Sequence, residues 1–146
     1  MGGADLAGDA MRTSKPLQAF MWPVRGPVIA SFGVRGSGQR NDGINIAAEA
    51  NTPVKAADDG EVIYAGNELR SYGNLLLIRH ASGYITAYAH NQTLLVSRSD
   101  KVTRGQKIAT VGSTGGVSKP QLHFEVRRGG KPVDPAPYLV TETASR

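Results

Sequence analysis

The chain has 146 residues and a mass of 15.4 kDa, enough for one domain with little room for a second. Hydrophobic residues at 40% and charged residues at 20% exclude wholesale disorder, and 18 Gly with 8 Pro are too turn-rich for a helical bundle. No Cys is present, which excludes disulfides, thiolate metal sites and a Cys nucleophile, and 17 Lys+Arg against 12 Asp+Glu give a net charge of +5 that suits an acidic partner.

In chain order, residues 1–19 are small and polar and read as a linker or tail, with Asp9 to Arg12 the one place where a short helix could start. Met1 to Ala10 has neither a basic start nor an apolar middle, so the sequence reads as cytosolic or as a fragment without its export signal. Structure is expected from Phe20-Met21-Trp22-Pro23. Short β-like runs then follow, cut by glycine: Val28 to Phe32, Thr52 to Ala57, Gly60 to Ala65, Leu75 to His80, Tyr84 to His90, Lys107 to Val111 and Leu122 to Arg127. Gly33 to Gly43 reads as a polar loop, and Ala81-Ser82-Gly83 as the turn of a hairpin. Pro132 to Pro137 closes the domain, and Thr141 to Arg146 reads as a frayed end. No amphipathic helix repeat longer than about ten residues is found, so the pattern predicts an all-β domain, mainly antiparallel, a sandwich or half-barrel with Gly-rich loops. The longest apolar run, Leu75 to Ile78, is far short of the ~20 residues of a membrane span. The basic residues are dispersed, so a nucleic-acid patch is not indicated.

Two strands carry chemistry. In Gln121-Leu122-His123-Phe124-Glu125-Val126-Arg127, strict alternation puts Leu122, Phe124 and Val126 on one face and Gln121, His123, Glu125 and Arg127 on the other. In Tyr84 to His90, the same rule groups His90 with Tyr84, Thr86 and Tyr88, opposite Ile85, Ala87 and Ala89.

Several stretches resemble one family. Trp22-Pro23-Val24, Ser31-Phe32-Gly33, Gly43-Ile44-Asn45-Ile46, Thr52-Pro53-Val54, Tyr72-Gly73-Asn74, Tyr88-Ala89-His90, Thr114-Gly115, Leu122-His123-Phe124-Glu125-Val126 and Val133-Asp134-Pro135 are similar, in order, to the LytM-like (lysostaphin-type) peptidoglycan metalloendopeptidases. The resemblance implies that fold for residues 20–140, between the tails 1–19 and 141–146. It also implies a zinc held by a His and an Asp of an H-x-x-x-D motif and by the second His of an H-x-H motif, with two further His assisting the water. Placed on this chain, those positions are Asn41, Asn45, His123, Gln121 and His90. An amide oxygen is a neutral donor where imidazole or carboxylate is required, and Gln121 cannot take and return a proton near neutral pH. The expectation is therefore a chain without metal, cofactor or catalytic residues: a pseudoenzyme of the kind typified by the EnvC, NlpD and DipM division factors.

In that subgroup the resemblance implies a groove at Asn41, Asn45, His90, Gln121 and His123 that docks and activates a cell-wall hydrolase, an N-acetylmuramoyl-L-alanine amidase, during division. It implies a periplasmic or envelope location, with peptidoglycan itself as a further partner. Arg40 and Lys119 flank the groove positions in sequence. An unorthodox zinc endopeptidase using His90, His123 and a carboxylate, and a plain wall-binding scaffold, are the alternatives.

Overall fold

The structure, a computed structural model, describes residues 19–34 and 38–140. The helix start expected at Asp9 to Arg12 and the frayed end at 141–146 lie outside the described residues. Among the described residues there are twelve strands and two single-turn 3-10 helices, Arg70–Tyr72 and Ala136–Tyr138. The strands are β1 (Val28–Ala30), β2 (Gly33–Val34), β3 (Arg40–Asn41), β4 (Ile44–Ala47), β5 (Pro53–Lys55), β6 (Gly60–Gly66), β7 (Asn74–His80), β8 (Ile85–Leu94), β9 (Lys101–Val102), β10 (Lys107–Val111), β11 (Gln121–Arg128) and β12 (Lys131–Val133). Ten of them form one sheet in the order β1-β4-β11-β8-β7-β6-β9, with β10 branching from β8 to reach β5 and β12 from β11; β2 and β3 make a separate ribbon. All the strand pairs are antiparallel.

The runs expected from glycine-punctuated alternation are strands here, with ends shifted by a few residues. Ordered backbone also occurs where the sequence reads as loop. β2 and β3 both lie in the glycine-rich Gly33 to Gly43 stretch, and β12 includes Pro132. Pro132 fits because β12 is a short edge strand paired only with β11, where a missing N–H is harmless.

One face of the sheet carries the main core. Ile44, Phe124, Tyr88 and Leu76 are opposed in turn across four neighbouring strands, and all are 3% exposed or less. Each fully buried side chain of this size contributes about 1.5–3 kcal/mol relative to exposure. On the other face a smaller cluster of Leu75, Ala87 and Ala89 packs with Tyr64, Tyr72 and Leu77. The chain's described ends meet: Phe20 bridges Leu139 in parallel, Phe20 N donates to Tyr138 O, Val140 N donates to Phe20 O, and Trp22 Nε1 donates to Val140 O.

Candidate functional site

Strand register assembles the site. β11 pairs with β4 so that His123 opposes Asn45, and with β8 so that His123 opposes Ala89. Opposed residues share a face, so Asn45, His123 and Ala89 form a row across three strands. Ala89 beside His123 and Ala87 beside Glu125 are small, which leaves room for Tyr72 to lie against His123 with ring centroids 5.8 Å apart.

The amides form one connected chain whose direction is fixed at both ends by backbone. Gln121 Nε2 donates to Lys119 O, so its Oε1 faces Asn45 and accepts from Asn45 Nδ2 at 2.7 Å. Asn45 Oδ1 then accepts from Asn41 Nδ2 at 3.2 Å and from His123 Nδ1 at 3.1 Å. Asn41 Nδ2 also donates to Ser31 O, and Asn41 Oδ1 accepts from Gly43 N. The other ring nitrogen of His123 lies 2.8 Å from Glu125 Oε2. The imidazole thus sits between two side-chain oxygens, Asn45 Oδ1 and Glu125 Oε2.

Glu125 is 1% exposed yet fully partnered. Its Oε2 also accepts from Tyr72 OH at 2.9 Å, and its Oε1 from Arg127 Nε at 2.7 Å. Burial disfavours its charge, but the hydrogen bonds and charges of His123 and Arg127 outweigh that and hold the carboxyl below the usual range. The Tyr72 hydroxyl is pushed up to about 12, first by burial and then by the neighbouring Glu125 charge.

His90 reaches the site by a route that alternation did not foresee. Tyr88 and Thr86, its expected face-mates, are wholly buried in or beside the main core, because their opposed residues on β11 are Phe124 and Val126. The grouping of His90 with a polar Tyr84, Thr86 and Tyr88 face is therefore corrected. Between the pairs Leu76–Tyr88 and Asn74–Asn91, β8 holds one more residue than β7, a β-bulge. His90 takes φ +68° there, which swings its ring toward His123, with centroids 6.0 Å apart. The bulge is pinned by Asn91, whose Nδ2 donates to Tyr88 O and to Asn74 O. His90 Nδ1 donates to Thr114 O at 2.8 Å, which turns Nε2 away from that carbonyl. Burial, reinforced by His123, lowers the His90 pKa despite the Thr114 bond.

The Thr114 loop is itself fixed by two glycines. Gly73 (φ +65°) and Gly115 (φ +86°) pack backbone to backbone, and a Cβ on Gly115 would lie 2.6 Å from Gly73 N. This seats Tyr72 beside the loop that orients His90.

The resulting hollow, about 200 Å³, is lined by Arg40, Asp42, Ser71, Tyr72, His90 and His123. Four expected residues, Asn41, Asn45, Gln121 and His123, form a bonded floor; of these His123 lines the hollow, as does His90, which does not bond to them. Asp42 lines the hollow and pairs with Arg40 at 2.9 Å. Arg40 also lies over the Phe32 ring. Lys119 takes part through its carbonyl. Sequence reasoning missed the roles of Tyr72, Glu125 and Arg127. The i, i+2, i+4 spacing of His123, Glu125 and Arg127 was the available signal.

The donor set does not fit a zinc ion. The side-chain oxygens of Asn41 and Asn45 are taken by N–H donors, and the Nδ1 of His123 is engaged with Asn45 Oδ1. Among the described residues, no three His, Cys, Asp or Glu side chains converge as a metal-binding group.

Comparison with known proteins agrees with this architecture. The chain is 53% identical to the cell division protein DipM of Caulobacter vibrioides, over 82% of this chain and 21% of that protein. It is 50% identical to the murein hydrolase activator NlpD of Escherichia coli, over 87% of this chain and 33% of that protein. It thus spans a fifth to a third of the length of these relatives. Among solved structures, a zinc-containing peptidase from Vibrio cholerae superposes with a TM-score of 0.74 at 33% identity, covering 86% of this chain and 41% of that one. The catalytic domain of lysostaphin from Staphylococcus simulans gives 0.67 at 28% identity, covering 77% and 89%. The model of peptidase family M23 matches residues 39–135. The LytM-like resemblance, the all-β antiparallel sheet and the family match coincide, and this chain belongs to peptidase family M23.

Proposed function

We propose that the chain is a non-catalytic LytM-type factor that binds and activates a peptidoglycan hydrolase, of N-acetylmuramoyl-L-alanine amidase type, in division and daughter-cell separation. Residues 20–140 are its working unit, acting in the periplasm or cell envelope. The observation that carries this reading is the closed amide floor: Asn41, Asn45, Gln121 and His123 satisfy one another where a peptidase would hold its metal. The names of its relatives, a murein hydrolase activator and a cell division protein, support it.

Activation then needs no chemistry in this chain. The groove has to bind the open hydrolase more tightly than the closed one, and a tenfold shift requires about 1.4 kcal/mol of difference. With the floor internally satisfied, recognition falls to groups with spare capacity around it. These are the Nε2 of His90 and the outer guanidinium nitrogens of Arg40, whose Nε alone is engaged by Asp42.

The test is dye release from purified sacculi, with candidate amidases present and absent, alongside measured metal content. The reading expects no release by the chain alone and stimulated release with the cognate amidase. Chelator-sensitive release by the chain alone, with one tightly held zinc, would instead establish a peptidase. Sacculus binding without stimulation of any amidase would leave a scaffold.

A further inference from the structure

Among the described residues, four strands of the main sheet pair on one side only: β1, β5, β9 and β12. An open edge is a template for a further strand, and proteins commonly blunt it with Lys or Pro. Three of these edges are blunted. β5 carries Pro53 and Lys55, β9 carries Lys101, and β12 carries Lys131 and Pro132. β1 reads Val28-Ile29-Ala30, with neither charge nor proline, and Val28 and Ile29 are 44% and 52% exposed. Pro27, just before it, is no guard. Its carbonyl accepts from Ala47 N and so faces β4, and by alternation the N–H and C=O of Val28 face outward.

The apolar edge continues past β1. The chain runs on into β2, whose partner β3 leads back to β4, so the ribbon prolongs the β1–β4 hairpin. Val34 on β2 is 68% exposed, and Val28, Ile29 and Val34 are three of the five large apolar side chains exposed among the described residues. Charge on this stretch has one sign. No Asp or Glu occurs from Phe20 to Asn41, while Arg25 and Arg40 are exposed toward its two ends. A second copy pairing edge to edge would bring arginines and no carboxylate, so charge complementarity selects an acidic partner instead.

We propose that β1 takes up an extended segment of a partner protein, apolar and acidic residues in alternation, as a further strand of the sheet. Backbone bonds to Val28 fix the segment, its apolar side chains cover Val28 and Ile29, and its carboxylates meet Arg25 and Arg40. The edge shares only Arg40 with the lining of the His123 hollow. This inference does not rest on the activator reading.

The test titrates the full chain with a dye-labelled peptide of about ten residues, Val and Glu alternating, by fluorescence anisotropy, and maps the amide shifts by NMR. The proposal expects saturable binding with the largest shifts along β1 and β2. Val28→Pro removes one outward N–H and no charge, at an edge position where proline is tolerated, and should weaken binding about fivefold or more, the loss of one hydrogen bond. The same peptide N-methylated at every amide keeps its charge and side chains but has no N–H to give, and should not bind; this arm decides the matter even if Val28→Pro does not fold. A peptide with Lys in place of Glu should not bind either. No binding of the Val–Glu peptide, equal binding of its N-methylated form, or shifts centred on His90 and His123 would overturn the proposal. So would a dimer of the chain in sedimentation velocity that Val28→Pro dissolves, because the edge would then belong to a second copy.

Discussion

Asn45 is the residue on which the site turns: its Oδ1 receives Asn41 and His123, and its Nδ2 closes onto Gln121. Asn45→Lys or Gln121→Arg should abolish amidase stimulation in dye-release assays while leaving the circular dichroism spectrum unchanged, since neither position is fully buried. Normal stimulation by both variants would mean that the partner docks elsewhere. The converse substitution is equally informative. Asn41→His with Asn45→Asp supplies an imidazole and a carboxylate beside His123, and this double variant should retain about one zinc per chain after dialysis, measured by atomic emission. Glu125 is the structural counterpart. Glu125→Gln leaves His123 and Arg127 facing a neutral amide in a buried place, and should cost about 2–4 kcal/mol in urea unfolding.

At the scale of the strand, β11 and β8 show what sequence can and cannot tell. Alternation in β11 was readable because each residue keeps its place in the ladder, so Leu122, Phe124 and Val126 fall in the core as expected. Alternation in β8 misplaced His90, because an added residue shifts every later side chain and local sequence does not mark the shift. The family positions Asn41, Asn45, Gln121 and His123 were legible by motif. The bonds among them, and the tie from Glu125 to Tyr72, depend on contacts between distant segments.

The β7–β8 hairpin holds a second directional chain. Ala57 N–H donates to Tyr88 OH, Tyr88 to Thr86 and Thr86 to His80 Nε2, while His80 Nδ1 donates to Asp59 O. Protonating His80 would turn Nε2 into a donor to Thr86 Oγ1 and leave one hydroxyl hydrogen of the Thr86–Tyr88 pair without its acceptor among the described residues. Burial lowers the His80 pKa, against the Asp59 carbonyl and the charges of Asp58 and Asp59. A depressed histidine pKa means the unfolded chain binds the proton more readily, so this contribution is complete above about pH 6.5 and shrinks as pH falls below it. Glu125, also depressed, adds a separate loss in stronger acid, below its ordinary value of 4.5. Urea midpoints should therefore drop between pH 7 and 5, and His80→Gln should flatten that slope while lowering stability at pH 7.

For the whole molecule, the meeting of the described chain ends has a mechanical consequence. Phe20 and Leu139 run parallel, so tension drawn through the segments before Phe20 and after Val140 pulls the two strands past each other along their length. The bonds Phe20 N to Tyr138 O, Val140 N to Phe20 O and Trp22 Nε1 to Val140 O are then loaded together, in shear, rather than peeled one at a time. Single-molecule pulling from both ends should show one abrupt rupture, and Trp22→Phe, which deletes the indole donor, should lower its force. Under stretch, the same clasp would keep the Trp22 indole and the β4–β11 row in place until the clasp itself gives way.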